Sequence, residues 1–580
     1  MLRQSAAQYG DRVAFLYHEK PGGPEISRTY RQFLGDIEAL GTTLLTLSLP
    51  RRRLAILADN SYEWAVVFFA AINGCGVVVP LDKLLPDGEV ERLLQRGAID
   101  VLFYGRKQQA TARALAARQA SLAYLVALQP EPPTDDDDDG RFLSLMDLIA
   151  SGRQQIDAGD RRYCDSPVDP EALASLLYTS GTTEQAKGVM LSQSNICSNI
   201  AGIASILPIQ PGERLLSVLP MHHTFENTAG LCYLLYCGGC ICINDGLRYF
   251  LKNMQEWHID VMIAVPLLFE NVYRKLMEQI SAQGKSGLVR LMRPLVRFLA
   301  GLGIDIRRFV FRELITTLGG RLRLVVVGAA AIDPAIIQAF TDFGLDFFMG
   351  YGLTEAAPVI SCCNHRLQVI GSVGPPLPGI EVAIDIEDPT PGAIGEILTR
   401  SRSVMLGYYG NPQATAEAIT ADGWLRTGDM GYLDRTGSLH LTGRLKSLIV
   451  LSNGKKAFPE EIESLLDQIP GVTGSLVWGE ANVRDGVDIC ALLQIDQAAL
   501  PLAQPVQMTE IQRYLTDQIT AINHAMPSYK SIDYCLITEE PLIRTTTLKI
   551  KRVPQLEQIH DWLQRHQLTM RQADGRLISE

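Results

Sequence analysis

The chain has 580 residues, more than one ordinary hydrophobic core supports, so two or more domains are expected. A hydrophobic content of 47% with 20% charged residues describes a globular protein, and a net charge of −11 argues against general nucleic-acid binding. Met1-Leu2-Arg3-Gln4 lacks the apolar run of a signal peptide, so a cytoplasmic location is the starting expectation.

The first long apolar stretch runs from Trp64 to Leu81. It is long enough to raise a membrane span, but Asn73, Gly74, Gly76 and Pro80 interrupt it. A buried helix, a turn and a buried strand is the expected reading. The stretch Pro130–Gly140, with the acidic run Asp135–Asp139, reads as a solvated loop. Apolar runs such as Leu54–Leu57, Val77–Leu81, Val261–Val265 and Leu324–Val327 alternate with helical patterns, which predicts α/β layers with largely parallel sheets.

The most informative segment is Tyr178–Val189. Thr179, Ser180, Gly181, Thr182 and Thr183 concentrate hydroxyl and backbone N–H donors, and Lys187 follows. Gly181 removes a side chain where backbone could approach a ligand. Many donors and one mobile cation suit a polyphosphate, although the spacing is not that of a Walker A loop.

Cys232, Cys237, Cys240 and Cys242 cluster, and Cys237-Gly238-Gly239-Cys240 has the form C-x2-C. No histidine nearby completes a zinc set and the flanks are apolar, so small buried thiols around a Gly-Gly turn are expected. Free thiols throughout fit a reducing compartment.

From Arg274 to Arg323 there are 11 Lys or Arg against Glu278, Asp305 and Glu313. Leu288, Leu291, Leu295, Phe298 and Leu299 recur at helical spacing among them, and Pro294 is expected to kink or split the helix. Two readings stand side by side. One is a basic amphipathic surface for anionic lipid or an acidic partner; the other is a solvated hairpin whose apolar stripe packs on the body.

Five segments in order then carry a family resemblance: the Ser180 loop; Gly350-Tyr351-Gly352-Leu353-Thr354-Glu355 after the small residues Gly328-Ala329-Ala330-Ala331; Trp424-Leu425-Arg426-Thr427-Gly428-Asp429; Gly443-Arg444-Leu445-Lys446; and Arg544-Thr545-Thr546-Thr547-Leu548-Lys549. Together they resemble the adenylate-forming (AMP-binding, acyl-CoA synthetase) superfamily across nearly the whole chain. Leu219–Glu226 and Val450–Gly454 look most like its medium- to long-chain fatty acid branch.

The resemblance implies an α/β fold. A large N-terminal domain of stacked α/β sheets with a β-rich subdomain (1–443, with Gly371–Glu396 reading as short strands) precedes a small mobile α+β domain (446–580). The hinge is at 444–446, with Lys446 as its pivot. It implies activation of a fatty acid by ATP to acyl-AMP, with pyrophosphate release. The acyl group then passes to the phosphopantetheine thiol of coenzyme A or of an acyl carrier protein. The runner-up readings are an aryl-acid ligase and a catalytically weak carrier-protein or lipid-binding relative.

It also implies roles. Thr179–Thr183 with Lys187 would hold the β- and γ-phosphates, and Thr354 the α-phosphate. Glu355 would help bind Mg2+, an oxygen-ligand cation. Gly328, Ala329, Ala330, Gly350, Tyr351 and Gly352 would form the adenine wall, Asp429 would accept from the ribose hydroxyls, and Arg444 would add ribose or phosphate contact. Lys549 would bridge carboxylate and α-phosphate, and His223 would close the acyl site. Relatives usually begin a little earlier, so the true start is expected upstream of Met1. Glu184, Gln193 and Leu548 depart from the usual Gly, His and Gly.

Overall fold

A computed structural model describes residues 1–119, 121–130, 140–179, 186–330, 332–386, 392–451, 455–482, 486–502, 506–546 and 548–578. The acidic run expected as a loop at 135–139 lies outside them. The chain divides into two compact units, residues 1–329, 334–382 and 399–425 in the first, and 330–333, 383–398 and 426–580 in the second.

The first unit holds two eight-stranded sheets. One runs in the order Val359–Cys362, Asp346–Gly352, Leu324–Val327, Val261–Ala264, Arg214–Ser217, Cys240–Ile243, Val13–His18 and Glu25–Thr29. The other runs Gly407–Tyr408, Lys187–Ser192, Leu173–Thr179, Val77–Pro80, Arg53–Leu57, Val101–Tyr104, Tyr124–Ala127 and Phe142–Ser144. The inner strands pair in parallel, as in Leu324↔Asp346 and Leu54↔Val101; antiparallel strands close both edges of the first sheet and one edge of the second, whose other edge strand, Phe142–Ser144, is parallel. Parallel strands need crossovers that cover both faces, which is why Val261–Ala264 and Leu324–Val327 are apolar at every position and buried throughout.

The stretch from Trp64 to Leu81 folds as expected. Helix Tyr62–Ala70 is capped by Ser61, whose hydroxyl accepts from Trp64 N–H. A π-helical turn at Ala71–Cys75 leads into the strand Val77–Pro80. Among the described residues, no helix is long and apolar enough to cross a membrane. The cysteine cluster is also as read: a helix ends at Tyr236, Gly238 turns with φ of 79°, and Cys240 and Cys242 are buried in a strand. No group of three His, Cys, Asp or Glu among the described residues could hold a metal ion.

In the basic segment, of the kink or split expected at Pro294 the split does not occur: one helix runs from Ser286 to Gly301 with Pro294 inside it. Proline removes the bond to the carbonyl four residues earlier; that residue is Arg290, which is exposed and can turn its carbonyl to water. The apolar stripe does not pack on the body either. The helix buries Val289 and Val296, while Arg293 and Arg297 form ion pairs of 2.9 and 2.7 Å with buried Asp342 of helix Pro334–Asp342.

The second unit contains a four-stranded sheet in the order Glu381–Asp385, Gly395–Arg400, Leu425–Leu433 and Leu439–Arg444, so short strands occupy the later part of 371–396. Its C-terminal part is a three-stranded sheet, Val472–Ala481, Val487–Ile495 and Tyr534–Thr538, covered on both faces. Helices Pro459–Leu466 and Met508–Ala525 bury Ile462, Leu466, Ile511 and Leu515 on one face. Helix Arg552–Arg565 buries Ile559 and Trp562 with Leu476 and Leu492 on the other. Pro459 sits at the first turn of its helix, where its missing N–H costs nothing.

Candidate active site

In the first unit, parallel strands end together. Val327 is in register with Met349, which sets Gly328 opposite Gly350 at the strand ends. A Cβ on Gly328 would stand 3.2 Å from both Gly350 O and the Phe225 ring, so a side chain here would be tightly packed against both. At Gly352 a Cβ would meet Pro358 O at 1.8 Å, which lets the chain double back into the turn that carries Thr354 and Glu355. Ala329 holds φ of 79°, a left-handed conformation costly for a residue with a Cβ. Ala329 and Ala330 are exposed and Tyr351 is buried.

Thr354 Oγ1 lies 3.3 Å from Thr224 Oγ1. Buried Asn199 braces the same turn: its amide donates to Val359 O at 2.7 Å and its oxygen accepts from Val359 N at 3.2 Å. Glu355 O accepts from Met405 N, and Glu355 Oε1 accepts from the Tyr408 hydroxyl at 2.9 Å. The other face of Tyr408 is used too. Lys187 Nζ stands 4.6 Å from the centre of its ring, a cation–π contact that fixes the ammonium. Burial and Glu355 together push the Tyr408 phenol well above its ordinary pKa, so it remains a donor. Lys187, Tyr408 and Glu355 thus form one line. The sequence reading missed Tyr408. The Gly407-Tyr408-Tyr409-Gly410-Asn411-Pro412 run was a visible signal, but only sheet pairing of 407–408 with 189–190 brings it to the Lys187 strand.

Thr179 ends its strand and its hydroxyl reaches Lys187 O at 3.4 Å. Ser180, Gly181, Thr182, Thr183 and the departure at Glu184 lie outside the described residues, as does Gly454. Gln193, the second departure, donates its amide to Ile72 O at the π-helical turn.

The rings of His222 and His223 lie 4.9 Å apart between centres, tilted by 36°. The His222 side chain is 8% exposed and its pKa is held well below the usual value, by burial first and by His223 and Lys83 next. His223 is half-buried. Glu226, three residues on, is fully buried; its Oε1 accepts from Ser217 Oγ at 2.5 Å and Oε2 has no partner among the described residues. Burial raises its pKa to about 8, with the Ser217 bond opposing, so the acid is neutral at pH 7. Ser217 Oγ also accepts from Asn60, which accepts from Met221 N at 2.9 Å, so this neutral acid anchors the loop that bears the two histidines.

The second unit assembles a separate set. Asp429 and Arg444 are partners across an antiparallel ladder, with Arg444 Nε 3.1 Å from Asp429 Oδ1. Lys549 shares their neighbourhood. The residue as a whole is exposed, but its ammonium end is desolvated, and this lowers its pKa to about 8. Arg444 lowers it further and Asp429 opposes. Leu548 has φ of 63°, in the region that favours glycine, so the usual Gly at this position has a backbone reason. Lys446 is exposed in a 3-10 turn, Leu445–Ser447.

The chemistry of these donors fits ATP with Mg2+. A hard cation takes oxygen ligands and keeps several from phosphate and water, so one carboxylate is enough where no protein cage exists. Glu355 offers a carboxylate already oriented by the Tyr408 hydroxyl.

Known proteins resemble this chain over most of its length. Long-chain-fatty-acid–CoA ligase FadD15 of Mycobacterium bovis is 28% identical, over 93% of this chain and 92% of its own length. The chloroplastic long-chain-fatty-acid–acyl-carrier-protein ligase of Arabidopsis thaliana is also 28% identical, over 84% of this chain and 75% of its own. Among solved structures, the ATP-bound MatB from Rhodopseudomonas palustris superposes with a TM-score of 0.74 at 21% identity, covering 97% of this chain and 98% of that one. The AMP-binding enzyme family matches residues 2–409 and the AMP-binding enzyme C-terminal domain matches 446–565. The chain belongs to the AMP-binding enzyme family.

Proposed function

We propose that this protein is an acid–thiol ligase that activates a fatty acid with ATP. In the first step a carboxylate oxygen attacks the α-phosphorus, the bond to pyrophosphate breaks, and acyl-AMP forms. In the second, a phosphopantetheine thiolate of coenzyme A or an acyl carrier protein attacks the acyl carbonyl and AMP leaves. The curated relatives include ligases of both acceptor types, which supports the shared chemistry and leaves two acceptors to compare.

The observation that carries this reading is the meeting of Lys549 with Asp429 and Arg444, from segments more than 100 residues apart. A carboxylate suited to ribose hydroxyls beside a lysine suited to an α-phosphate is the pair that acyl-adenylate formation needs. Thr354 would donate to the α-phosphate. Lys187, with the Ser180–Thr183 loop, would hold the outer phosphates. Mg2+ at Glu355 would add positive charge to the triphosphate. Fixed cations aimed at developing charge stabilise the transition state more than the ground state. Gly328–Ala330 and Tyr351 would receive the adenine, and His223 would close the acyl site.

We place a pivot at Lys446, between a body at 1–443 and a mobile domain at 446–580. A fatty substrate partitions into lipid, so a lipid surface is the partner expected on the first unit. The test is acid-dependent exchange of labelled pyrophosphate into ATP with acids from short to long chain, followed by thioester formation with each acceptor. Medium- and long-chain acids should support both steps. Exchange with benzoate-like acids alone overturns the fatty-acid assignment.

A further inference from the structure

The outward face of helix Ser286–Gly301 continues the stripe that the sequence showed. Leu288, Leu291, Leu295, Phe298 and Leu302 are 57, 69, 45, 66 and 63% exposed. Their spacing of three and four residues puts them on one face. Ile304 and Phe309 extend the apolar run, Phe309 at 81% exposure. Seven of the twenty large apolar side chains exposed among the described residues therefore fall between 288 and 309, which marks a built surface and not scattered exposure.

The opposite face explains why the stripe points out. Arg293 and Arg297 clamp buried Asp342, and Val289 and Val296 fill the contact with the body. Arg293 and Arg297 turn their guanidinium groups to Asp342 while the leucines face solvent.

Charge completes the pattern. Lys285 pairs with Glu313, Arg307 with Asp305, Arg321 with Asp260 and Arg323 with Glu213. The acids at 305 and 313 are thereby neutralised, while Lys275, Arg290 and Arg312 have no ion-pair partner among the described residues. What remains is an apolar ridge with uncompensated positive charge.

We propose that this ridge is a docking surface for an anionic lipid bilayer, with the leucines and Phe298 entering the headgroup–acyl boundary. A second copy of the chain is disfavoured, because like charges would meet. An acidic carrier protein is disfavoured because it would dock through matched ion pairs, whereas this ridge is chiefly apolar. Lipid needs no matching shape, only apolar side chains and a positive border. The purpose assigned, access to a membrane-dissolved acid, rests on the fatty-acid reading above; the surface itself does not.

The experiment is co-sedimentation of the full chain with phosphatidylcholine vesicles, with and without phosphatidylglycerol. Wild type should bind both and prefer the anionic ones. The triple variant Leu291→Gln/Leu295→Gln/Phe298→Gln should lose about tenfold or more in partitioning to both, since three apolar insertions go. Arg290→Glu should lose roughly fivefold, and only with phosphatidylglycerol. Octanoate-dependent exchange and thermal melting should match wild type in both variants, which shows that the fold and the chemistry are intact; Leu288→Gln/Leu302→Gln repeats the lipid test from the ends of the ridge. Wild type that ignores vesicles, or apolar variants that bind as well as wild type, overturns the proposal. So does a wild-type dimer, seen by light scattering, that the triple variant dissociates. Vesicle binding without exchange on any fatty acid leaves the surface standing and removes the substrate assignment.

Discussion

The Tyr408 hydroxyl donates to Glu355 Oε1 at 2.9 Å while the same ring carries Lys187 Nζ on its face at 4.6 Å. One side chain thus orients the carboxylate proposed to bind Mg2+ and the cation proposed to bind phosphate. The two functions separate by substitution. Tyr408→Phe keeps the ring and loses the donor to a charged acceptor, a bond of about 1.5–3 kcal/mol. We expect roughly tenfold or more loss in the apparent Mg2+ affinity of pyrophosphate exchange, with smaller change in its dependence on ATP. Tyr408→Leu removes the ring as well and should weaken both. A Phe variant with unchanged Mg2+ titration would show that Glu355 needs no anchor.

Lys549 has a pKa lowered to about 8, mainly by desolvation. Its cationic form is present below that pH and is lost above it. The kcat/KM for MgATP in the exchange reaction reports the free enzyme, so it should fall as pH rises through about 8. Lys549→Arg stays charged and should hold its value to higher pH. Lys549→Ala should lose acyl-AMP formation severely and still convert supplied acyl-AMP and thiol to thioester. Equal loss of both half-reactions would remove Lys549 from the adenylation step.

A hinge at Lys446 makes the converse prediction. Lys446→Pro fixes φ at this residue and restricts Leu445 before it. Thioester formation should fall well below adenylation in this variant. The comparison is single-turnover rates of the two half-reactions, and a uniform loss argues against a pivot at 446.

Glu226 gives a stability test with a definite sign. Its pKa is raised to about 8 by burial, against about 4.3 for a free glutamate. The folded chain therefore holds a proton that the unfolded chain releases between these values, and stability falls as pH rises through that window. Glu226→Gln is neutral at every pH and near in shape. Its stability relative to wild type should improve from pH 5 to pH 8, by on the order of 3 kcal/mol. Denaturant midpoints at the two pH values measure this, and a pH-independent difference would place the charge elsewhere.

Leu548 carries a left-handed backbone that costs a side-chain-bearing residue roughly 1–2 kcal/mol. Leu548→Gly relieves it, offset by about 0.5–1 kcal/mol of added chain entropy. A small gain in melting temperature is expected. A marked loss would show that the leucine side chain contributes packing that outweighs the strain.

Local signals carried much of the fold. The helix–turn–strand reading of Trp64–Leu81 rested on Asn73, Gly74 and Gly76 breaking an apolar run, and these residues act locally wherever they stand. The continuous apolar strands at Val261–Ala264 and Leu324–Val327 announced burial on both faces for the same reason. The glycines at 328 and 352 stood in motifs that the sequence singled out, but their close neighbours Phe225 and Pro358 were not legible there.

The basic helix shows the limit. Periodicity gave Leu288, Leu291, Leu295 and Phe298 one face, but a stripe looks the same whether it turns inward or outward. Asp342, 45 residues beyond Arg297, decided it by pulling the arginines to the body. Tyr408 was likewise invisible as a partner of Lys187, because the ladder that brings 407–408 beside 189–190 is made by strands more than 200 residues apart in sequence. Sequence by itself determined the residue types that acyl activation requires, their order, and the local turns that display them, since those depend on neighbours a few positions away. Only tertiary structure decided which charges neutralise each other, which acid stays protonated and which apolar face meets solvent, because these depend on distance and dielectric between residues that the chain does not join.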